Sequence, residues 1–472
     1  MKENRLPRAK VAYIGVSLEL YLTTESPENL QTWRRNFALW GAELAKVADV
    51  AVQKLCFTAA EVDAAVAEIT AAAPDAIVLS ALSYTPSMLI CPALQSLGLP
   101  VVIWSTQQLD RITPDYCGQD LSNNHTVQGI QDITNILYRN SVKFAIVTCH
   151  WQDPQGLAFL QRELTAIRAA NAGKKIKVLE LGGKFEGMGD FDFDPEMVRR
   201  CWGITVESLD PEKFAAQAAA VPVAEAQAVR QEDLQKFTVA ADLDEATHIE
   251  AIRRKLALKQ LLAASGATAF TMNFTTLCKI RNFGQLPFYA INTLMAEGMG
   301  YAGEGDALRA AMMRQCYELS GEANFTEIYT VDFQRDLMLM SHMQECNINI
   351  AGKPENVRLY RKPFWVKGVP DYPGMLFTSQ PGKYTLAAIT PMPGGEKMRL
   401  ITFSGEVPEL PFLEKYDRPY WLLRPATKSV GELLSAYSLA GGPHHLSAVP
   451  GEAAAAMERM AYWLGFDFVS LD

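Results

Sequence analysis

The first 150 residues leave few folds open. Four short runs, KVAYIGVSL, DAIVLSAL, LPVVIWST and VKFAIVTCHW, are β-rich and almost wholly apolar, as strands buried on both faces should be. Between them, QTWRRNFALWGAELAKVA and AAEVDAAVAEITAAA carry apolar residues at helical spacing among good helix formers. Strand alternating with helix predicts an open parallel sheet with right-handed crossovers, a Rossmann-like α/β layer. No GxGxxG follows the first strand, so a dinucleotide site is disfavoured and no nucleotide cofactor is expected.

At 472 residues the chain is too long for one core, which predicts more than one domain. KIKVLELGG reads as a strand opening a second α/β domain. An acidic loop, GDFDFDPE, follows it, then long helical stretches ending at about Ser265, the strand ATAFTMNF and helical GQLPFYAINTLMAEGMG. After about Phe325 the pattern changes to short alternating runs, TEIYTVDF, ENVRLYRKPFWVKG, GKYTLAAITPM, KMRLITFSGEV and RPYWLLRP, separated by turn residues. These predict a mainly antiparallel, barrel-like β domain, closed by the Ala-rich helix GEAAAAMERMAYWLGF. The expected organisation is an N-terminal Rossmann-like domain over 1–172, a central α/β domain over 173–325 and a β-rich C-terminal domain over 326–472.

Charge and composition narrow the partners. A net charge of −9 and the lack of any basic run of five or more residues argue against nucleic acid. No apolar stretch approaches the ~20 residues of a membrane span. The opening MKENRLPRAKVAYIG lacks the features of a signal peptide, so a cytoplasmic location is expected. Eight scattered cysteines without a CxxC pair read as buried thiols rather than a disulfide or zinc framework.

Four stretches set acids or histidines among glycines and apolar residues: MGYAGEGDALRAAMM (Glu304, Asp306), ANFTEIYTVDF (Glu327), LMSHMQECNINI (His342, Glu345) and GGPHHLS (His444, His445). Taken singly, each has a plain structural reading. Glu304 and Asp306 suit a first helical turn, Glu327 an exposed strand, His342 a satisfied core and the His pair a solvated loop. Taken together, two carboxylates and two imidazoles suit a divalent ion of intermediate hardness such as Mn²⁺ and leave positions open for a substrate. Adjacent side chains on an extended segment point to opposite sides, so His444 and His445 need different tasks.

In their order along the chain, these stretches resemble the L-arabinose isomerase family. The GFAGEGDWKTAAL-like segment of the family appears as GYAGEGDALRAAM, FMEDYTYHF as NFTEIYTVDF, GSHMLEVCPSI as MSHMQECNINI and AGGAHHTVFS as AGGPHHLSAV. VTGHWQD corresponds to VTCHWQD, and FEDLHGLKQLPG to FTTLCKIRNFGQLPF. The resemblance implies a metal-dependent aldose–ketose isomerase. Glu304, Glu327, His342 and His445 would hold the metal, Mn²⁺ first, with Co²⁺ or Mg²⁺ as alternatives. Glu304 and Glu327 would be the catalytic pair, one moving the proton between C1 and C2 and the other the hydroxyl proton; which does which stays open. His444 would face the sugar and Phe274 line the pocket, with swapped histidine roles remaining open. The resemblance also implies a homo-oligomer, hexameric or trimer-based, in which the N-terminal domain of one subunit helps close a neighbour's site.

The sugar-facing positions depart from the family. IGVSLELYL sets Leu18 or Glu19 where the family turn IGSQHLYG carries a Gln, and NHTVQGIQD sets Gln128 where NQTAHGGRE carries a His. A family Met corresponds to Phe185, and an Ile before a Gly pair to Lys367. The expectation is a sugar isomerase not specific for L-arabinose. If Lys367 points inward, the substrate would be a modified or anionic aldose, a uronate, phosphate or sulfonate sugar such as sulfoquinovose. The alternatives are an L-arabinose isomerase proper, a metal-dependent sugar epimerase or retro-aldol enzyme, and a non-catalytic sugar-binding relative.

Overall fold

A computed structural model describes residues 6–472; the charged opening MKENR lies outside them. The described residues form two compact units, 6–171 and 172–472.

The N-terminal unit carries one parallel sheet of β1 (Lys10–Val16), β2 (Asp49–Cys56), β3 (Ala76–Ala81), β4 (Val101–Ser105) and β5 (Phe144–Thr148), in the order β2-β1-β3-β4-β5. The strands β3 and β4 are buried along their whole length, which is why they read as unbroken apolar runs. The strand β2 escaped the sequence reading. It lies at the sheet edge with only Val52 and Cys56 fully buried, so Asp49, Gln53 and Lys54 dilute its apolar signal. The strand order reverses at β1 and β3, where open α/β sheets present a crevice beyond the carboxyl ends of the strands. Leu18 and Glu19 follow β1 there. Gln128 is the second residue of the adjacent helix Val127–Arg139, whose Gly129 packs so closely on Thr85 that a Cβ would stand 3.0 Å from the threonine Cβ. The Thr85 hydroxyl donates to the Val16 carbonyl at 3.1 Å, which ties this corner together.

The C-terminal unit begins with β6 (Lys177–Leu181) and β7 (Thr205–Leu209); β8 (Thr238–Val239) belongs to a separate small sheet; β9 (Ala269–Met272) and β10 (Gly300–Gly303) complete a second parallel sheet in the order β10-β9-β6-β7. Neither β7 nor β10 was expected. The strand β7 is an exposed edge, and β10 is GYAG, whose Gly300 lets the backbone of Ala310 press against it. The remaining strands are β11 (Asn324–Asp332), β12 (Leu337–Ser341), β13 (Arg358–Lys362), β14 (Tyr372–Leu376), β15 (Gly382–Pro391), β16 (Met398–Val407), β17 (Tyr420–Pro425), β18 (His445–Pro450) and β19 (Asp467–Ser470).

Six of these close into an antiparallel barrel. The order β15-β18-β11-β12-β17-β16 is completed by pairing of β15 with β16, while β19 adds in parallel to β16. The closing helix, Ala454–Leu464, is thus followed by one more strand. Alternate residues on one barrel face, among them Leu386, Phe403, Trp421, Leu423 and Leu446, are almost fully buried in one hydrophobic cluster. The helix Ala307–Ser320 packs against β10 and β9 on one side and β18 and β15 on the other, and is accordingly buried around most of its circumference.

Four cysteines, Cys56, Cys91, Cys316 and Cys346, are buried, whereas Cys117 is exposed and the other three are half-buried, so the expectation of buried thiols holds for half of them. Among the described residues no helix is long and apolar enough to cross a membrane. Leu423 is fully buried in the barrel cluster. Leu423→Ala is expected to cost about 2–5 kcal/mol, read as a lower midpoint of chemical denaturation.

Candidate functional site

Strand register assembles half of the site. In the barrel, Glu327 on β11 lies directly opposite His445 on β18 and opposite Ser341, the last residue of β12. Directly opposed residues share a face, so Glu327 and His445 project together, on the face away from Leu446. His342 follows the end of β12 and brings its Nε2 to 4.0 Å from Glu327 Oε2. Phe325 lies two residues before Glu327 on the same face. Its ring centroid stands 4.8 Å from both the His342 and His445 rings.

The fourth side chain comes from the parallel sheet. After β10 the chain turns through Glu304 (φ 64°) and Gly305 (φ 84°) into the helix Ala307–Ser320, with Asp306 as its N-cap. A non-glycine residue in this left-handed region costs on the order of 1–3 kcal/mol, a strain typical of functional turns. The turn brings Glu304 Oε2 to 4.0 Å from His445 Nε2 and 3.8 Å from His444 Nε2. Two overlapping groups result, Glu304–His444–His445 and Glu327–His342–His445, in each of which one ligand atom per residue lies within 4.8 Å of the others. His445 belongs to both.

Each histidine is held from behind by a carboxylate. His445 Nδ1 donates to Asp306 Oδ2 at 3.0 Å, His342 Nδ1 to Glu345 Oε2 at 2.8 Å and His444 Nδ1 to Asp190 Oδ2 at 2.7 Å. An ionised carboxylate only accepts, so Nδ1 carries a proton in each ring and each Nε2 faces the site. Tyr301 donates its hydroxyl to Glu345 at 3.2 Å, and the Gln344 amide donates to the same carboxylate at 3.0 Å. His445 Nε2 is buried and has no hydrogen-bond partner among the described residues.

Electrostatics separate the adjacent histidines. Burial drives the His445 pKa down to about 4 against the pull of Asp306, which keeps the ring neutral. For His444, burial is outweighed by Asp190 and Glu304, which raise it to about 10 and make it a cation. Asp190 answers in kind: His444 and Arg309 overcome its burial and hold it near 2. Burial raises Glu327 above the ordinary glutamate range.

The candidate pocket residues divide between the two units. Phe185 and Phe274 meet edge to face at 6.1 Å beside the site, and the Phe185 amide donates to the Glu304 carbonyl at 2.9 Å. Trp365 extends this wall, 5.9 Å from Phe274, with 63% of its surface exposed. Lys367 stands two residues further on, on an exposed turn. Leu18, Glu19 and Gln128 belong to the N-terminal unit. Sequence reasoning missed Asp190, one of several acids in GDFDFDPE, and did not single out Arg309; it noted Asp306 and Glu345 without assigning them a catalytic or metal-binding task.

Two family models match the part of the chain that carries Glu304, Glu327, His342 and His445. Residues 194–322 match the L-arabinose isomerase central domain and residues 322–467 the L-arabinose isomerase C-terminal domain. The chain belongs to the L-arabinose isomerase family. It is therefore a sugar isomerase. The L-arabinose isomerase of Erwinia tasmaniensis is 29% identical over 385 residues, 77% of this chain and 74% of that protein. That of Serratia proteamaculans is 27% identical over 378 residues, with the same coverage, and that of Yersinia pestis 26% over 405 residues, 83% and 79%. A periplasmic solute-binding protein of Actinobacillus succinogenes with bound D-allose covers 67% of this chain and 92% of its own at 16% identity, but its TM-score of 0.18 bears no weight.

Gly303 gives a direct test of this packing. A Cβ there would stand 2.8 Å from His342 Cε1. Gly303→Ala is expected to displace the ring and lower isomerase turnover by about 10–100-fold, with circular dichroism unchanged; wild-type turnover would show that the position of His342 does not matter.

Proposed function

We propose that this protein is a metal-dependent aldose–ketose isomerase that acts on an open-chain sugar through a cis-enediolate. One observation carries the reading: His342 and His445 are locked by their Nδ1 atoms onto buried carboxylates and turn Nε2 toward Glu327 and Glu304 at 4.0 Å, while His445 Nε2 has no partner of its own. Donors on an ion bound at about 2.1 Å stand roughly 3–4 Å apart, so Glu304, Glu327, His342 and His445 fit a divalent cation. The mixed carboxylate and imidazole set, without a thiolate, favours Mn²⁺, with Co²⁺ or Mg²⁺ next. A bound divalent ion would supply Lewis-acid stabilisation of negative charge on the sugar oxygens.

The remaining chemistry belongs to the chain. Glu304 and Glu327 act as the proton-moving pair, one taking the proton that passes between C1 and C2 and the other exchanging the hydroxyl proton. His444, cationic through Asp190, presents an N–H to a sugar oxygen. Phe185 and Phe274 form an apolar wall that limits water at the reacting carbons. Leu18, Glu19 and Gln128 read the sugar from a neighbouring copy in a homo-oligomer, as the family resemblance implies.

The substrate is an aldose other than L-arabinose, because Leu18 or Glu19, Gln128 and Phe185 replace the residues expected to read that sugar. Lys367, on its exposed turn beside Trp365, makes anionic aldoses part of the test.

Glu304→Gln and Glu327→Gln are each expected to lower turnover by about 10²–10⁴-fold in folded protein; near-wild-type turnover in either removes that residue from the pair. Chelation should abolish activity and Mn²⁺ restore it. A panel of neutral and anionic aldoses, followed by NMR in D₂O, should give a ketose carrying solvent deuterium at the carbon that gains the proton. A diastereomeric aldose would instead establish epimerisation, and activity on L-arabinose alone would refute the altered specificity.

A further inference from the structure

Arg309 is 1% exposed and lies one turn into the helix that follows Glu304. A single nitrogen of the guanidinium, Nη1, reaches both halves of the histidine pair. It donates to Asp306 Oδ1 at 3.3 Å and to the Asp190 backbone carbonyl at 2.7 Å. The other oxygen of Asp306 holds His445 Nδ1 at 3.0 Å. The Asp190 carboxylate holds His444 through Nδ1 at 2.7 Å and through the His444 amide at 3.3 Å. Nε and Nη2 of Arg309 have no protein partner among the described residues, so the hydrogen bonding of this buried cation is concentrated on the Nη1 branch.

We propose that Arg309 is a positioning residue that couples His444 to His445, fixing the Nδ1–H···carboxylate hydrogen bond of each ring by holding Asp306 and the Asp190 loop with one guanidinium nitrogen. The structural reason is planarity. A guanidinium can present two directed hydrogen bonds from one buried, permanently charged group, whereas a lysine offers a point charge and a neutral side chain offers none. The proposal rests on the metal set above for its effect on the ion, and on hydrogen bonding alone for its effect on the histidines.

The test uses the full-length protein, with Arg309→Met and Arg309→Lys checked for folding by circular dichroism. Calorimetry measures binding of Mn²⁺ alone, and ¹⁵N-histidine NMR of the metal-free protein reads the Nδ1 protons. The wild type should show a hydrogen-bonded Nδ1 proton on both His444 and His445. Arg309→Met should shift that signal at both rings and bind Mn²⁺ about 10–100-fold more weakly. Arg309→Lys should recover thermal stability but not the wild-type Nδ1 signals at both rings. Unchanged histidine signals together with wild-type Mn²⁺ affinity in Arg309→Met would overturn the proposal. Should Arg309→Met fail to fold, Arg309→Lys decides: two unchanged Nδ1 signals overturn it, and a shift at either ring supports it. The metal reading fails separately, if the wild type does not bind Mn²⁺ or if His445→Ala binds it equally well; the Nδ1 signals still judge the coupling.

Discussion

The buried carboxylate of Asp306 joins a helix start, a barrel strand and the candidate metal site. Oδ1 caps the helix Ala307–Ser320 by accepting the Arg309 amide at 3.2 Å and pairs with the guanidinium, while Oδ2 orients His445. Burial works to raise its pKa, but Arg309 and His445 hold it below the ordinary range, so it stays an anion inside the protein. Removing one member of such a buried network leaves an uncompensated charge, which is far costlier than the loss of one hydrogen bond. Helix start, strand β18 and the candidate metal site are thus held by one residue, and the geometry of each depends on the others.

The same arrangement recurs at His342. Glu345 holds its ring and is itself held by Tyr301 and the Gln344 amide. Both imidazoles are therefore set before any ligand arrives, which lowers the cost of organising a charged site. The barrel supplies rigidity: closure leaves no free edge beside β11 or β18, and register rather than side-chain flexibility sets Glu327 opposite His445. The carboxyl ends of the parallel sheet supply the rest, with Glu304 after β10, Phe274 after β9 and Asp190 in the loop after β6. Open α/β sheets present ligand sites at this end.

Much of this was legible in the chain. The unbroken apolar runs announced the buried strands β3 and β4, because both faces of a doubly covered sheet need apolar side chains. The strands β2, β7 and β10 were not legible. Edges carry polar residues, and GYAG hides a strand whose apolar contacts come from backbone packing rather than from side chains. In the site, Glu304, Glu327, His342 and His445 stood out because acids and histidines are rare in glycine-rich or apolar settings. Asp190 and Arg309 did not, since an aspartate in an acidic loop and an arginine in a helix are ordinary until the fold buries them.

What the sequence by itself determined is local: strand and helix periodicity, the Gly-flanked turn that admits Glu304, and the adjacency of two histidines on an extended segment. What only the tertiary structure decided is their division of labour. His444 and His445 are chemically identical in sequence, yet one meets Asp190 and Glu304 at a half-exposed edge and becomes a cation. The other meets Asp306 in a fully buried pocket and stays neutral with a free Nε2. The physical reason is that a pKa is set by desolvation and nearby charge, and those depend on residues 139 and 254 positions away that no local pattern connects.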